Sequence, residues 1–531
     1  MNKKVNFLYI MVDQARSDFF GCYGNDKIKT PNIDALAKRG TTLDQLYVAN
    51  PFCMPSRSAI MTGRMPSVNG ARTNGTPLPL EARTFVGSLL DDGYDTALIG
   101  KCHLQNMTGM ERAYTSPEAE KCKTDEDGYP DQPTTSKLTG ADYENENSVI
   151  WRASPDHEVK TPYYGFDHVD LCTLHSDNVG ANYERWLNEE VSNANDLKGA
   201  KNGLYKGNIS SPQSWRTAID EEHYSTSYIG RKTIDWIEEH QENASENPFF
   251  LYCSFPDPHH PFAPPGKYWD MYDPDDMNLP ESFNKGSSPV LDHMRNDFEQ
   301  GTSGRESTLP FAVNEKEARE AIALTYGMVT MIDDWVGKIM ASLEEQGLLN
   351  NTVIIFSSDH GEYMANHGIM LKGPLHYQGL IRIPFIWCDP VQNTLSRTSE
   401  LCSAIDIAPT ILERSQTKPY YGIQGKSMLD MMNNKIDHHR KAVLIEDDRE
   451  VIYLGFKEPQ RVRTMVTDRY RLSMTQPADF YELYDLKNDP HEINNLWEDD
   501  NQATLRNQEI QRMLKLICEM QDWSPLPTGR A

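Results

Sequence analysis

Short apolar segments recur along the chain without alternation between apolar and polar positions: Phe7 to Val12, Thr96 to Ile99, Phe249 to Phe255, Val353 to Ser357 and Ile383 to Trp387. A strand with one wet face alternates, whereas a strand buried on both faces reads as a continuous apolar run. These segments therefore predict a mainly parallel sheet covered by helices. In such sheets ligands collect beyond the carboxyl ends of the strands, so the residues that follow each segment carry the chemistry. Ile322, Met328, Ile332, Trp335 and Ile339 have helical spacing and predict a helix over about 321–347, with Gly347 as its stop.

The texture changes twice. From about Met110 to Lys160 the chain is polar, acidic and rich in Pro, Thr and Asp, which predicts an insertion or lid rather than core. After about His439, Ala442 to Glu446, Arg461 to Thr467 and Tyr470 to Met474 read as antiparallel strands. Leu483-Tyr484-Asp485-Leu486, the turn Asn488-Asp489-Pro490 and a helix over about 502–520 follow. The expected fold is α/β: a large, mainly parallel sheet flanked by helices over residues 1–438, with a smaller C-terminal α+β subdomain built on an antiparallel sheet and a helix over 439–531.

Charge narrows the functions open to this fold. A chain of 531 residues with formal charge −26 and pI near 5.0 is a poor nucleic-acid binder and a poor docking surface for a long polyanion, so an anionic substrate needs a local pocket. The nine cysteines are scattered, odd in number and free of any Cys-x-x-Cys pair, which points to reduced thiols rather than a disulfide framework or a zinc cluster. No apolar run approaches the length of about 20 residues that spans a bilayer, so no membrane partner is expected. Val5 to Val12 follows Lys3-Lys4 like a short signal peptide, but it holds Asn6, runs into Asp13 and reads better as the first strand. The chain as it stands is expected to be cytoplasmic, or periplasmic or secreted if an export signal has been removed.

The most informative residues are Cys53-Met54-Pro55-Ser56-Arg57. If Pro55 opens a helix, Cys53 sits just before its N-terminus, Gly63 closes it, and Cys53 and Arg57 lie one turn apart. Free N–H groups and the positive dipole end then favour an anion there. A Cys-x-Pro-Ser-Arg match arises by chance in a chain this long only roughly a few times in a thousand.

Other strand ends supply complementary groups. Asp13-Gln14 follows the first apolar segment and Asp359-His360-Gly361-Glu362 follows the fourth. Two carboxylates from separate strands suit a hard divalent cation, with the Gln14 carbonyl oxygen and a His360 nitrogen completing the set. Ca²⁺ is expected ahead of Zn²⁺, with Mg²⁺ and Mn²⁺ as alternatives. Gly100-Lys101-Cys102-His103, Asp257-Pro258-His259-His260-Pro261-Phe262 and Lys372-Gly373-Pro374 add cationic and hydrogen-bonding groups.

Together with Ser58-Ala59-Ile60-Met61-Thr62-Gly63-Arg64, these strings resemble the type I sulfatases, whose cysteine is oxidised after translation to Cα-formylglycine. The resemblance runs from Asp13 to the Leu483-Tyr484-Asp485-Leu486 region and implies an alkaline-phosphatase-like fold. It implies Asp13, Gln14, Asp359 and His360 as metal ligands, joined by the formylglycine made from Cys53. Arg57, Lys101, His103, His259 and Lys372 become the residues that hold sulfate and manage its protons. His259 is preferred to His260 because it matches a His-x-Pro-Phe run. A formylglycine-generating or radical sulfatase-maturating enzyme becomes an expected partner. Two positions depart from the common pattern: Gln14 stands where many relatives carry a second aspartate, and Gln378 where many carry glutamate. Asp-Gln starts resemble choline-sulfatase-like and phosphonate-monoester-hydrolase-like branches.

The implied chemistry is covalent. A hydrated aldehyde offers two hydroxyls on one carbon, one to attack sulfur and one to expel sulfate afterwards, which a bare thiol cannot do. His103 is expected to help break down the covalent intermediate, and either His259 or Lys372 to protonate the leaving oxygen. A small sulfated substrate is expected, with a carbohydrate sulfate first and an aryl or alkyl sulfate second. The rivals are a phosphonate monoester or phosphodiester hydrolase on the same scaffold and a catalytically silent binder of sulfated ligands. Loops carrying Tyr163, Tyr164, His175, Asp177, His367 and His376 are expected around the pocket beyond the sulfate.

Overall fold

Four of the five continuous apolar segments form the middle of one sheet. In the computed structural model, which describes residues 4–110, 138–243, 245–391, 395–449 and 452–529, the strand Asn6–Val12 runs parallel between Phe249–Phe255 and Thr352–Ser358. Asp95–Lys101 pairs in parallel with Phe249–Phe255, and His168–Thr173 with Asp95–Lys101. All residues of the three innermost strands are buried. Each large apolar side chain so covered contributes about 1.5–3 kcal/mol relative to exposure.

The fifth segment behaves differently. Pro384 has no N–H for a ladder, and the chain divides around it. Arg382–Ile383 pairs with Leu46–Tyr47 in a small second sheet, while Phe385–Cys388 joins the main sheet antiparallel to Thr352–Ser358. Thr41–Leu43 and Arg397–Thr398 extend that side, and Gly180–Ala181 closes the other, giving nine strands. The parallel character expected from the sequence thus belongs to the centre, and the edges are mixed.

Helices cover both faces. The long helix is Glu315–Glu345, starting six residues before the expected position because Asn314 and Glu317 form a reciprocal capping box. Gly347 follows in a left-handed conformation, φ 69°. Of the polar stretch read as an insertion, residues 111–137 lie outside the described residues. The remainder is partly core: Glu146 is wholly buried and Trp151 is 4% exposed.

The C-terminal strands Val443–Asp448, Arg461–Val466, Tyr470–Gln476 and Phe480–Asp485 form an antiparallel four-stranded sheet, followed by the helix Ala503–Glu519. Leu444, Met465, Leu472 and Leu483 stand opposite one another across its four strands. That row packs in one cluster with Ala59 of the Cys53 helix, Ala49, Met65, Ile405, Met513 and Leu516. The C-terminal sheet therefore buttresses the helix that carries Cys53.

Candidate active site

Cys53 is the first residue of the helix Cys53–Thr62, not the residue before it. Pro55 is accommodated in the first turn, where N–H groups have no intrahelical partner in any case. The first helical bond, Ser56 N to Phe52 O, spans 2.9 Å. Gly63 caps the end at φ 60°. The expected anion cradle of free helix N–H groups is largely spent, because Met54 N donates to Asn74 Oδ1 (3.1 Å) and Pro55 has no N–H. The helix is buried along its whole length, with Cys53 1% exposed.

Around Cys53 the strand ends converge. Its sulfur lies 3.0 Å from His360 Nε2, accepts from Lys372 Nζ at 3.2 Å and stands 3.8 Å from Asp13 Oδ1. Ligand atoms of Asp13, Cys53, Asp359 and His360 all lie within 4.8 Å of one another, as do those of Asp13, Cys53, His175 and His259. Gln14 completes the first group: its Oε1 accepts from Lys372 Nζ at 2.8 Å, while its Nε2 is held by Glu362. A carboxylate accepts only, so Glu362 fixes the amide with its oxygen towards the cluster. His360 Nδ1 donates to Gly361 O at 2.8 Å, which turns Nε2 towards Cys53. Carboxylate and amide oxygens with one imidazole fit a hard divalent cation in this cluster.

Arg57 is more committed than the sequence suggests. Its Nε donates to Asp359 Oδ2 (2.8 Å), Nη2 to Asp13 Oδ2 (3.3 Å), and Nη1 to Lys101 O and Ser254 Oγ (2.9 Å each). It clamps the two carboxylates in place and leaves one N–H for a ligand. Lys101 Nζ pairs with Asp13 and lies 2.7 Å from His175 Nε2. Lys372 Nζ has four partners within 3.2 Å: Gln14 Oε1, Cys53 Sγ, His259 Nε2 and His360 Nε2. An ammonium has three protons, so this lysine is the hub of the cluster. His259 Nδ1 faces His260 O at 2.5 Å, which turns its Nε2 towards Lys372. His103 is buried beside the cluster, and its Nδ1 has no partner among the described residues.

Charge is strongly biased. Burial disfavours the Asp13 carboxylate, but Lys101 and Arg57, then His360 and Lys372, outweigh it and hold the group well below the ordinary carboxylate range. Burial and Asp13 also oppose a Cys53 thiolate; Lys101, Lys372 and His360 overcome them and lower the thiol's pKa. Burial foremost keeps His103, His175, His259 and His260 neutral, with neighbouring cations adding to it. Three cations, two carboxylates and a set of neutral imidazoles can accept and deliver protons around a bound anion.

Glu362 and Glu146 support the site without a sequence signal of their own, and His175 comes from a loop expected around the pocket. Glu362 orients Gln14, and Gln14 Nε2 also lies 3.0 Å from His260 Nδ1. Glu146 accepts from the backbone N–H groups of His103, Leu104 and Gln105 (2.6–3.0 Å) and from Tyr163 OH, and so pins the loop that carries His103. His175 belongs to the cluster itself, stacked on His259 with ring centroids 3.5 Å apart. The other loop residues expected around a pocket are engaged elsewhere: Tyr164 OH donates to Leu78 O, Asp177 accepts from Trp215 Nε1, His367 stacks on Tyr377, and His376 lies against Thr464 and Asp447.

A family model described as Sulfatase matches residues 5–416. The chain belongs to the sulfatase family. A second model, N-sulphoglucosamine sulphohydrolase, C-terminal, matches residues 366–519. The arylsulfatase of Clostridium perfringens is 27% identical over 503 residues, covering 93% of this chain and 90% of that one. In structure, this sulfatase resembles the phosphonate monoester hydrolase of Agrobacterium radiobacter, with TM-score 0.75, 22% identity and coverage of 98% and 96%. It also resembles a protein solved with its substrate D-glucosamine-2-N,6-O-disulfate, with TM-score 0.67, 20% identity and 98% coverage of both chains. These likenesses give it the alkaline-phosphatase-like fold, and family membership makes it a sulfuric ester hydrolase.

Proposed function

We propose that this sulfatase cleaves a sulfate ester on a carbohydrate, with Cys53 matured to Cα-formylglycine as nucleophile and a hard divalent cation, Ca²⁺ first, at the strand ends. The observation that carries the reading is the convergence of Cys53 Sγ, Lys372 Nζ and His360 Nε2 on the buried carboxylates of Asp13 and Asp359. Maturation replaces the sulfur with an aldehyde oxygen in a two-electron oxidation performed by a maturation enzyme, and the aldehyde hydrate supplies the attacking and the expelling hydroxyl. Asp13, Gln14, Asp359 and His360 would hold the cation, which supplies Lewis-acid stabilisation of charge on the sulfate oxygens.

The chain's own residues divide the remaining work. Arg57 fixes the two carboxylates, and Lys101 and Lys372 offset charge on the transferred group. His259, neutral and hydrogen-bonded to Lys372 through Nε2, forms with it a proton-donating pair next to the leaving oxygen. His103, with a ring nitrogen unpartnered among the described residues, is the base for release of sulfate. The N-sulphoglucosamine sulphohydrolase match and the glucosamine disulfate neighbour support a sugar sulfate. The phosphonate monoester hydrolase neighbour supports the rival reading.

The test is kcat/KM for a sulfate monoester against the phosphonate monoester with the same leaving group. The reading predicts that the sulfate ester is preferred. A phosphonate preference of tenfold or more, about 1.4 kcal/mol in transition-state binding, moves the protein to the rival class.

A further inference from the structure

Beside the cluster lies a second cationic group that the reaction as described does not use. Arg449 follows the first strand of the C-terminal sheet, and its guanidinium carbon lies 3.3 Å from the ring centroid of Phe52, the residue immediately before Cys53. Lys372 Nζ lies 5.9 Å from the same centroid while contacting Cys53 Sγ at 3.2 Å. The ring of Phe52 thus contacts both the cation at the nucleophile and a further cation outside the cluster. Tyr453 flanks Arg449 as well, with its ring centroid 5.4 Å from the guanidinium carbon.

The arginine is positioned but not saturated. Asp447 takes its Nε edge at 2.9–3.0 Å, and Asp447 is itself 3.5 Å from His376 Nε2. Arg449 Nη2 is buried with no hydrogen-bond partner among the described residues, and so is the hydroxyl of Tyr453. Buried polar donors are ordinarily paired, but Arg471 Nη2 and Tyr377 OH also lack partners among the described residues; what sets Arg449 apart is its stack on the residue before Cys53 and a side chain 13% exposed, where that of Arg471 is 0% and no anion can reach it. A guanidinium fixed by aromatic stacking and one carboxylate is preorganised for a planar or tetrahedral oxyanion.

We propose that Arg449, assisted by Tyr453 OH, binds a second anionic substituent of the substrate, a carboxylate or a second sulfate, carried next to the sulfate that is cleaved. The inference rests on the sulfate-ester reading for the identity of the first anion and extends it: the preferred substrate carries two negative groups, one at the Cys53 cluster and one at Arg449. Arg449 is a specificity residue and touches none of the reacting atoms.

Sulfonates test this without turnover, because their carbon–sulfur bond is not an ester. The probes are benzenesulfonate with one anion, benzene-1,3-disulfonate with two sulfonates, and 3- and 4-sulfobenzoate with a sulfonate and a carboxylate. Titration calorimetry on the full wild-type chain is expected to show at least one two-anion probe binding about tenfold more tightly than benzenesulfonate. The disulfonate and sulfobenzoate arms distinguish a second sulfate from a carboxylate. Arg449→Met keeps the stack on Phe52 and is expected to abolish that preference while leaving benzenesulfonate affinity and 4-nitrophenyl sulfate turnover within about twofold; Arg449→Lys should restore part of it and Tyr453→Phe should weaken it. Equal binding of all probes to the wild type, or a preference unchanged in Arg449→Met, overturns the proposal. Absent turnover of 4-nitrophenyl sulfate in the wild type with the preference intact would instead count against the sulfatase reading alone.

Discussion

Arg57 and Arg471 are both fully buried arginines held between two carboxylates, yet their surroundings differ in kind. Arg471, in the C-terminal sheet, pairs with Glu492 and with Glu482 (3.2 Å), donates to Ser473 Oγ (2.6 Å), and lies over the rings of Tyr377 and Tyr484. Among the described residues its cluster has one cation for two carboxylates, no thiol and no ammonium. Arg57 clamps Asp13 and Asp359, but there two lysines, a thiol and several neutral imidazoles crowd the same carboxylates. The excess of cations and proton carriers over the needs of folding marks the Arg57 cluster, the first of the two, as a place where an anion is meant to arrive. Burial of charge alone is a weak guide to function, since both clusters have it.

Mutations can break this comparison. The largest expected effect is on turnover: Cys53→Ala should lower kcat/KM by about 10⁴-fold or more while moving the unfolding midpoint little, because one buried sulfur is removed from a site held by many other contacts. Sulfate ester hydrolysis by a homogeneous alanine variant at near wild-type rate would end the covalent reading. Next is the opposite signature at Arg471. Arg471→Met leaves Glu482 and Glu492 buried without their cation and should destabilise the chain by about 3–5 kcal/mol in denaturant unfolding, with kcat/KM of the folded fraction changed by less than about threefold. A large catalytic loss without loss of stability would erase the distinction between the two clusters. The smallest effect sharpens the first cluster: Glu362→Gln removes the carboxylate that orients Gln14 and should weaken divalent-cation affinity about 10–100-fold, read by titrating metal-stripped protein. Unchanged affinity would mean that the Gln14 oxygen is not a ligand.

The two regions also differ in how far the sequence reveals them. The Cys53 cluster is legible because its parts are separately marked: a dense motif at a helix start, and short polar strings where continuous apolar runs end. The structure brings all ten of those residues into or beside one cluster: Asp13, Gln14, Cys53, Arg57, Lys101, His103, His259, Asp359, His360 and Lys372. What escapes is support that depends on tertiary pairing. Glu146 sits in an acidic stretch that reads as a solvated insertion, yet three backbone N–H groups draw it inside. Glu362 lies in the same string as the candidate ligands Asp359 and His360 and has no pattern of its own. Arg471 is one of many charges on strands that alternate imperfectly, and only the register that sets it opposite Val466 and Tyr484 shows why it is buried. The antiparallel turn of Phe385–Cys388 was hidden for another reason, because one proline inside an apolar run divides it between two sheets.

The central claim is that Cys53 works as formylglycine, and mass spectrometry of the proteolytic peptide that contains it, taken from a preparation with measured sulfate ester turnover, tests it most directly. The account predicts a peptide about 18 Da lighter than the cysteine form, in a fraction that scales with specific activity when the chain is produced with and without a maturation enzyme. A fully active preparation in which every such peptide retains the mass of unmodified cysteine would contradict it.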